Sequence, residues 1–236
     1  MKENCYHRTQ ILIGKENVEK LKKQHVVICG IGGVGSYVLE ALARIGIGEI
    51  TIVDKDVVDV TNINRQIIAL NGTIGKYKVN VAKDRVHEIN EEILVHTMNM
   101  EINKENVEQL FQEKIDYVVD CVDNIEAKIA IIQNCYHRNI KCISCMGTAN
   151  KLNPLDLKVD DIYKTTMCPL AKLMRKNLKQ IGIKKQKVVY STEIPKKGTK
   201  EEKEVYGNTL GSVSFVPSCA GLIIASEVVK DLLELS

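Results

Sequence analysis

The order of the first elements follows from residues 25–54, which read HVVICGIGGVGSYVLEALARIGIGEITIVD. An apolar run at 25–30 ends in glycine, and the apolar residues of 35–45 then recur at spacings of three and four. A second apolar run, 49–54, ends in aspartate. Short apolar runs between turns are typical of buried strands, whereas spacings of three and four are typical of a helix. The stretch therefore predicts a strand, a glycine turn, a helix and a second strand.

The same alternation continues through the middle of the chain. Apolar runs predict three more strands, and helical patterns lie before and between them. The strands are at 94–100, 117–123 and 141–147, and the helices are at 75–90, 103–114 and 125–138. Successive parallel strands need right-handed crossovers, which place helices on both faces of the sheet. The pattern predicts an α/β fold with a doubly wound, mostly parallel, Rossmann-like sheet.

The pattern changes after residue 150. It predicts an edge strand, a basic helix, a strand, a mobile polar loop, a strand and a helix, at 157–162, 169–180, 187–193, 194–208, 212–216 and 220–235. No internal repeat or Pro/Ser-rich linker separates these elements from the first half, so we expect them to extend the same sheet. We expect one domain over 1–236, with a nucleotide-binding half at 1–150 and a substrate-side extension at 151–236.

The composition excludes several classes of protein. Hydrophobic residues make up 44% of the 236 residues and charged residues 27%, as in folded soluble proteins, which excludes a disordered chain. The longest uncharged stretch, 205–226, contains several polar residues and a proline, so we interpret it as buried protein rather than a membrane span. The first 15 residues show no apolar signal segment. We therefore expect a cytoplasmic protein, with no membrane partner and with eight reduced cysteines.

Positive charge is concentrated in one segment. Residues 172–203 contain eleven Lys or Arg against three Glu, a net charge of +8 in a chain whose total is +3. A patch of one sign is typical of proteins that bind polyanions. The alternative is a solvated helix face and loop.

Four glycines lie between the first predicted strand and helix, at Gly30, Gly32, Gly33 and Gly35. In this position a nucleotide phosphate can approach the amides of the helix N-terminus closely, since glycine has no Cβ. Asp54 ends the second strand 24 residues after Gly30, where a carboxylate can accept hydrogen bonds from a ribose. The motif predicts a nucleotide site.

A dense polar cluster at 54–66 favours a triphosphate over a dinucleotide. Arg65 can pair with phosphate oxygens through its planar fork, Asn62 can hold a phosphate or ribose, and Lys78 can act as a point charge. Asp123 and Asn124 follow the fourth strand, at the edge where open α/β sheets bind ligands. Asp123 is a candidate ligand for Mg²⁺ against the triphosphate. Its alternative role is to cap the next helix.

The ordered set of motifs resembles a known family. GIGGVGSYVLEALARIGIGEITIVDKDVVDVTNINRQ, then Lys78, then DCVDN, resembles the adenylating domain of the ubiquitin-activating-enzyme-like superfamily. Within that superfamily, RTQILIG, CMGTANKLNP, PLAKLMRKNLKQIGI and GSVSFVPSCAG are most similar to the tRNA threonylcarbamoyladenosine dehydratase family. The resemblance covers nearly the whole chain.

The resemblance implies an ATP-dependent enzyme that adenylates the carboxylate of threonylcarbamoyladenosine in the tRNA anticodon loop, after which an internal nucleophile closes a ring. It implies ATP and Mg²⁺ as cofactors, and a homodimer in which Arg8 reaches the partner's phosphates. A sulfur-transfer or electron-transfer protein is a further possible partner. The cofactor-binding candidates are Gly30, Gly32, Gly33, Gly35, Asp54, Asp56, Asn62, Asn64, Gln66 and Asn124, and the catalytic candidates are Arg65, Lys78, Asp123 and Arg8.

Two alternatives stay open. An adenylyltransferase for a ubiquitin-like sulfur carrier often has two CxxC pairs for zinc, whereas this chain has one, Cys142 to Cys145. An NAD-binding redox enzyme or dinucleotide sensor is disfavoured by Arg65 and Lys78. Cys168 lies where ubiquitin-activating relatives place a catalytic thiol, but internal ring closure needs no thioester, so we expect an inert cysteine there.

Overall fold

The computed structural model describes residues 4–199, 204, 205, 207 and 209–235. The strands are β1 (His25–Cys29), β2 (Glu49–Val53), β3 (Leu94–Met98), β4 (Tyr117–Asp120), β5 (Lys141–Cys145), β6 (Leu157–Asp161) and β7 (Lys187–Ser191). The α-helices are α1 (His7–Ile13), α2 (Lys15–Leu21), α3 (Gly35–Ile45), α4 (Lys78–Ile89), α5 (Ile125–Arg138), α6 (Pro169–Gln180) and α7 (Phe215–Leu233).

All seven strands lie in one sheet, in the order β3-β2-β1-β4-β5-β7-β6. Every neighbouring pair is parallel except β6 and β7, which are antiparallel at the edge. The strand order reverses between β1 and β4, which creates the crevice where doubly wound sheets bind ligands. The predicted α/β class and mostly parallel sheet are confirmed.

The core is built on the two faces of the central strand. All five residues of β1 are buried. Val26 and Ile28 join one apolar cluster with α3 and α7, whereas Val27 and Cys29 join a second cluster with α5. Successive strand residues point to opposite faces, so β1 needs apolar residues at every position. The two layers of helices hold the carboxyl edge of the sheet rigid.

The strand predicted at 212–216 is wrong. Residues 209–214 are irregular, and α7 begins at Phe215. The alternation of small polar and apolar residues at 212–216 is typical of a strand, but Val216 is buried as part of the helix that packs against α3. Pro217 lies in the first turn of α7, where its missing N–H costs nothing. Tertiary packing outweighs the local pattern here.

Other elements are shorter than predicted. The helix expected at 103–114 is one short 3₁₀ helix, Val107–Phe111. The strand expected at 117–123 ends at Asp120, whose Oδ1 accepts a hydrogen bond from the Val122 N–H and so turns the chain. Of the loop predicted at 194–208, residues 200–203, 206 and 208 lie outside the described residues. None of the helices in the described part of the chain combines the length and apolar content that crossing a bilayer requires.

Candidate active site

The glycine turn brings the N-terminus of α3 to the carboxyl edge of the sheet. Gly30 has a φ of 87°, and a Cβ there would lie 3.0 Å from the backbone of Cys121. A Cβ on Gly35 would lie 1.8 Å from the carbonyl oxygen of Gly30, so no larger residue fits. A Cβ on Gly32, by contrast, would meet no atom within 4 Å. The turn is therefore closed towards the protein and open at Gly32, where a phosphate could approach.

Asp54 joins the end of β2 to this turn. Its Oδ2 accepts a hydrogen bond from the Ile31 N–H at 2.6 Å, and its Oδ1 accepts one from the Asp56 N–H at 2.8 Å. Only 8% of the side chain is exposed. The carboxylate thus holds the turn in place, and its predicted role as a ribose acceptor depends on its remaining lone pairs.

Arg65 lies over the turn without a carboxylate partner. A Cβ on Gly33 would lie 3.3 Å from Cγ of Arg65, so the arginine stem runs along this glycine. Nη1 donates to the carbonyl oxygen of Thr61 at 2.8 Å and to Oδ1 of Asn64 at 2.9 Å. None of the Asp or Glu side chains in the described ranges forms an ion pair with Arg65. The three N–H groups of Nε and Nη2 are left to bind an anion.

Lys78 is a buried cation between two carboxylates. It begins α4, and its Nζ lies 2.8 Å from Oδ2 of Asp56 and 4.0 Å from Oδ1 of Asp54. The Lys78 side chain is 6% exposed, whereas that of Asp56 is 51% exposed. Because Asp56 is largely in solvent, it can turn away and leave the ammonium to a phosphate.

Two buried amide side chains lie next to Arg65 in sequence. Oδ1 of Asn62 accepts a hydrogen bond from the N–H of Asp59, the N-cap of the 3₁₀ helix Val60–Asn62, and so completes a capping box. Oε1 of Gln66 is buried and has no hydrogen-bond partner among the described residues. Leaving a buried acceptor unsatisfied costs about 1–3 kcal/mol. A ligand N–H or O–H at this position would remove that cost.

Asp123 and Asn124 follow β4, and both helix capping and Mg²⁺ binding were expected of Asp123. Asn124 is the N-cap of α5, and its Oδ1 accepts hydrogen bonds from the N–H groups of Glu126 and Ala127. The capping role considered for Asp123 therefore belongs to Asn124. Asp123 is exposed, and no hydrogen bond of its side chain is seen within the described part of the chain. A carboxylate whose oxygens are not engaged in hydrogen bonds fits a Mg²⁺ ligand.

Arg8 is not brought to the glycine turn of its own chain. It lies on α1, two residues after Tyr6, whose ring packs against Gly46 beyond the last residue of α3. The glycine turn is at the opposite end of α3, about 16 Å away for 11 residues at roughly 1.5 Å each. Arg8 is exposed.

The segment 209–214 connects the two sides of the site. Nδ2 of Asn64 donates to the carbonyl oxygen of Ser212 at 3.0 Å. At the other end, the Gly211 N–H donates to Oδ1 of Asn150, and the Asn150 N–H donates to the carbonyl oxygen of Gly211. This irregular segment therefore forms a wall between the polar cluster and the loop after β5.

Sequence reasoning missed a buried ion pair below the site. Nζ of Lys128 lies 2.9 Å from Oδ2 of Asp120, and both side chains are fully buried. Burial alone would lower the pKa of Lys128, but attraction and hydrogen bonding to Asp120 outweigh it and raise the pKa. The available signal was that Lys128 shares the apolar face of α5 with Ile131, Ile132 and Cys135.

Cys142, Cys145 and Cys168 lie in apolar surroundings. Burial raises the pKa of Cys145 to about 12, and a hydrogen bond with Cys135 together with burial raises the pKa of Cys142 well above its usual range. Both thiols therefore stay protonated at neutral pH. Cys168 is the N-cap residue of α6 and is 3% exposed.

Known proteins resemble this chain over almost its whole length. The ThiF family matches residues 6–235. The tRNA threonylcarbamoyladenosine dehydratase of Bacillus subtilis is 42% identical over 240 residues, which cover 97% of this chain and 94% of that protein. The molybdopterin-synthase adenylyltransferase of Haemophilus influenzae is 30% identical over 176 residues, which cover 73% of this chain and 71% of that protein.

Solved structures agree with these sequence matches. The structure of E. coli tRNA N6-threonylcarbamoyladenosine dehydratase, TcdA, in complex with ATP superposes with a TM-score of 0.88 at 32% identity, and the match covers 97% of this chain and 93% of that one. The same enzyme in complex with AMP gives a TM-score of 0.89. The resemblance inferred from the motifs is confirmed: the chain is similar to tRNA threonylcarbamoyladenosine dehydratases over nearly its whole length, and it belongs to the ThiF family.

Proposed function

We propose that this protein uses ATP to cyclise and dehydrate N6-threonylcarbamoyladenosine in the anticodon loop of tRNA. The observation that supports it most is Arg65, a cation without a carboxylate partner among the described residues, which lies over the glycine turn at the switch point of the sheet. Relatives that match the chain nearly end to end carry this activity in their names.

The reaction has two balanced steps. A carboxylate oxygen of the substrate attacks the α-phosphorus of ATP, the bond to the β-phosphate oxygen breaks, and pyrophosphate leaves with the electron pair. An internal nucleophile then attacks the activated carbonyl carbon, AMP leaves with the former carboxylate oxygen, and the proton of the nucleophile passes to solvent. The substrate thereby loses the elements of water, and the enzyme mainly supplies position and charge.

The site residues divide this work by charge and position. The backbone at Gly32 and the free N–H groups of Arg65 bind phosphate oxygens, and Lys78 joins them when Asp56 turns to solvent. Gln66 uses its unpartnered oxygen to accept a hydrogen bond from the nucleotide. Asp123 would hold Mg²⁺, which neutralises phosphate charge when it is bound.

We place Arg8 at the phosphates of a second protomer in a homodimer. Arg8 is exposed on α1, and the neighbouring Tyr6 packs at the end of α3 that lies opposite its own glycine turn. The same short helix presents Ile11 and Leu12 to solvent, 74% and 85% exposed, which suits a surface that another chain covers.

Mixing Arg8→Ala with Lys78→Ala protomers restores activity if Arg8 acts in trans, because one site of each mixed dimer is intact. No recovery after proven subunit exchange contradicts this arrangement.

The tRNA would bind along the face of α6 and the turn after it. Five exposed lysines there form no ion pair with any described residue: Lys172, Lys176, Lys179, Lys184 and Lys185. The cytoplasm, which holds the tRNA and keeps cysteines reduced, is the compartment that this function requires.

The second candidate is adenylation of a ubiquitin-like sulfur carrier, which the 30% identity to a molybdopterin-synthase adenylyltransferase favours. Pyrophosphate release separates the two candidates. Purified protein with ATP is given tRNA that carries threonylcarbamoyladenosine, the same tRNA without the modification, or a sulfur-carrier protein. Our proposal predicts release only with the modified tRNA. Release only with the carrier overturns it.

A further inference from the structure

A second group of ionisable side chains lies at the amino edge of the sheet, opposite the candidate active site. His25 is the first residue of β1 and Glu49 the first of β2, while Glu113 follows the 3₁₀ helix before β4. One donor atom from each of these three lies within 4.8 Å of the others. His96 of β3 joins them, because its Nε2 lies 2.9 Å from Oε1 of Glu49.

The register of the sheet brings these residues together. His25 is paired with Glu49, and Thr51 is paired with His96. Glu49 and Thr51 are two residues apart on β2, so their side chains point to the same face. The same Oε1 atom of Glu49 also lies 3.7 Å from Nδ1 of His25. The donors that lie close to one another therefore come from β1, β2 and the segment before β4, and β3 adds His96 beside Glu49.

His25 is held in a fixed orientation. It is 6% exposed, with its Nε2 at 2.8 Å from Oγ1 of Thr51 and its Nδ1 at 2.9 Å from the carbonyl oxygen of Lys114. With the proton on Nδ1, the ring donates to Lys114. With the proton on Nε2, the ring donates to Thr51, and the lone pair of Nδ1 then faces Glu49 and the Lys114 carbonyl. When a histidine binds a metal through one ring nitrogen, its other ring nitrogen is usually held by a hydrogen bond.

The charges around the cluster are unbalanced. No Lys or Arg of the described residues forms an ion pair with Glu49 or Glu113, and only imidazoles face Glu49. A third carboxylate is close to the His25 main chain, since Oδ2 of Asp116 accepts a hydrogen bond from the backbone N–H of His25 at 2.9 Å. The amine of Lys114 is 88% exposed and pairs with Asp116 instead. A divalent cation would balance the two glutamates.

We propose that His25, Glu49, His96 and Glu113 form a binding site for Zn²⁺. Imidazole nitrogens with carboxylate oxygens are ligands that zinc accepts in four-coordinate sites. The bound ion would connect the first residues of β1 and β2 and the side of β3 to the segment that precedes β4. It would stabilise the sheet at the edge that the adenylation chemistry does not use.

The test uses zinc alone. Wild-type protein is treated with a chelator, dialysed and titrated with Zn²⁺ against a chromophoric competitor. His96→Gln and Glu113→Gln, at half-exposed and exposed positions, each weaken zinc binding at least ten-fold, because each removes a ligand. The matched controls His87→Gln and Glu105→Gln, both exposed, bind zinc like the wild type.

A second measurement locates the ion. Zinc raises the Tm of the wild type and of both controls but leaves the His96→Gln/Glu113→Gln double variant unchanged. Anomalous diffraction at the zinc edge shows a peak between His25 and Glu49. No binding at micromolar zinc overturns the proposal, as does a peak at the cysteines or unchanged affinity in both single variants.

Discussion

Arg65 and Gly33 pack closely together, since a Cβ on Gly33 would lie 3.3 Å from Cγ of Arg65. This packing places a flexible cation over the turn that opens at Gly32. It joins two features that are separated by more than thirty residues of sequence.

Arg65→Ala lowers ATP turnover at least ten-fold and keeps the fold. Removing one charge-assisted hydrogen bond to phosphate costs about 1.5–3 kcal/mol, whereas the two hydrogen bonds that Arg65 makes among the described residues are both to exposed groups. Lys78→Ala has the same effect on turnover, but it also leaves the buried carboxylate of Asp54 without its nearby cation. Pyrophosphate release and thermal melts measure the two effects. Lys83→Ala, on the same helix, is the control, and turnover like wild type in Arg65→Ala removes that residue from the site.

Asp123→Ala and Asn124→Ala separate activity from stability. Asn124→Ala removes the cap of α5 and about 1 kcal/mol of unfolding free energy. Asp123→Ala keeps its stability, because its side chain caps no helix, and it reduces turnover more than Arg65→Ala does. Denaturant unfolding and turnover at several Mg²⁺ concentrations check both. Full activity in Asp123→Ala contradicts a role in holding the metal.

Lys128→Met destabilises the protein by about 3–5 kcal/mol, because it leaves Asp120 as an unpaired buried charge. The raised pKa of Lys128 sets the pH dependence of this contribution. The folded state binds the proton more tightly than the unfolded state, so the stabilisation is complete below the ordinary lysine value of about 10.5 and disappears as pH rises through the folded value.

Unfolding free energies of wild type and Lys128→Met, measured from neutral to alkaline pH, check this dependence. The gap between the two proteins should narrow in strong alkali, where Lys128 of the wild type loses its proton. A gap that closes as pH rises from 6 to 8 is inconsistent with the ion pair as its source. Lys104→Met, at an exposed position, provides the control for general alkaline effects.

Lys184→Glu/Lys185→Glu weakens tRNA binding and lowers the salt dependence of binding by about 0.7–0.9 in slope for each phosphate that the protein no longer neutralises. ATP affinity changes little, because charges further away than about 8 Å are screened at physiological salt. Lys187 also lies in the basic segment 172–203, but it is not reversed in this variant. Its Nζ lies 2.7 Å from Asp231 and 3.1 Å from Glu227, so Lys187→Glu would loosen α7 instead. An unchanged salt slope would show that the lysines form only a solvated face.

Periodic features of the sequence predicted most of the fold. The apolar runs of the central strands and the spacing of apolar residues in α3 and α5 result from burial alone. Burial can be predicted directly from the residue types. The strand prediction at 212–216 was wrong because the burial of Val216 depends on its packing against α3, which no local pattern shows.

The site was less predictable than the fold. The glycines and Asp54 are recognisable because the turn itself demands them. The division of roles between Asp123 and Asn124 depends on where β4 ends, and the pairing of Lys128 with Asp120 depends on a helix packed on a strand. In the proposed homodimer, the position of Arg8 relative to the site depends on the second chain, for which a single sequence contains no signal.

The proposed reaction is tested most directly by mass spectrometry of nucleosides from tRNA. The tRNA is taken from cells that carry the wild-type protein, Arg65→Ala or no copy. We predict that only the wild-type cells contain the cyclic nucleoside, one water lighter than threonylcarbamoyladenosine, and that the other two accumulate the open form. Equal amounts of the cyclic nucleoside in all three would contradict the account.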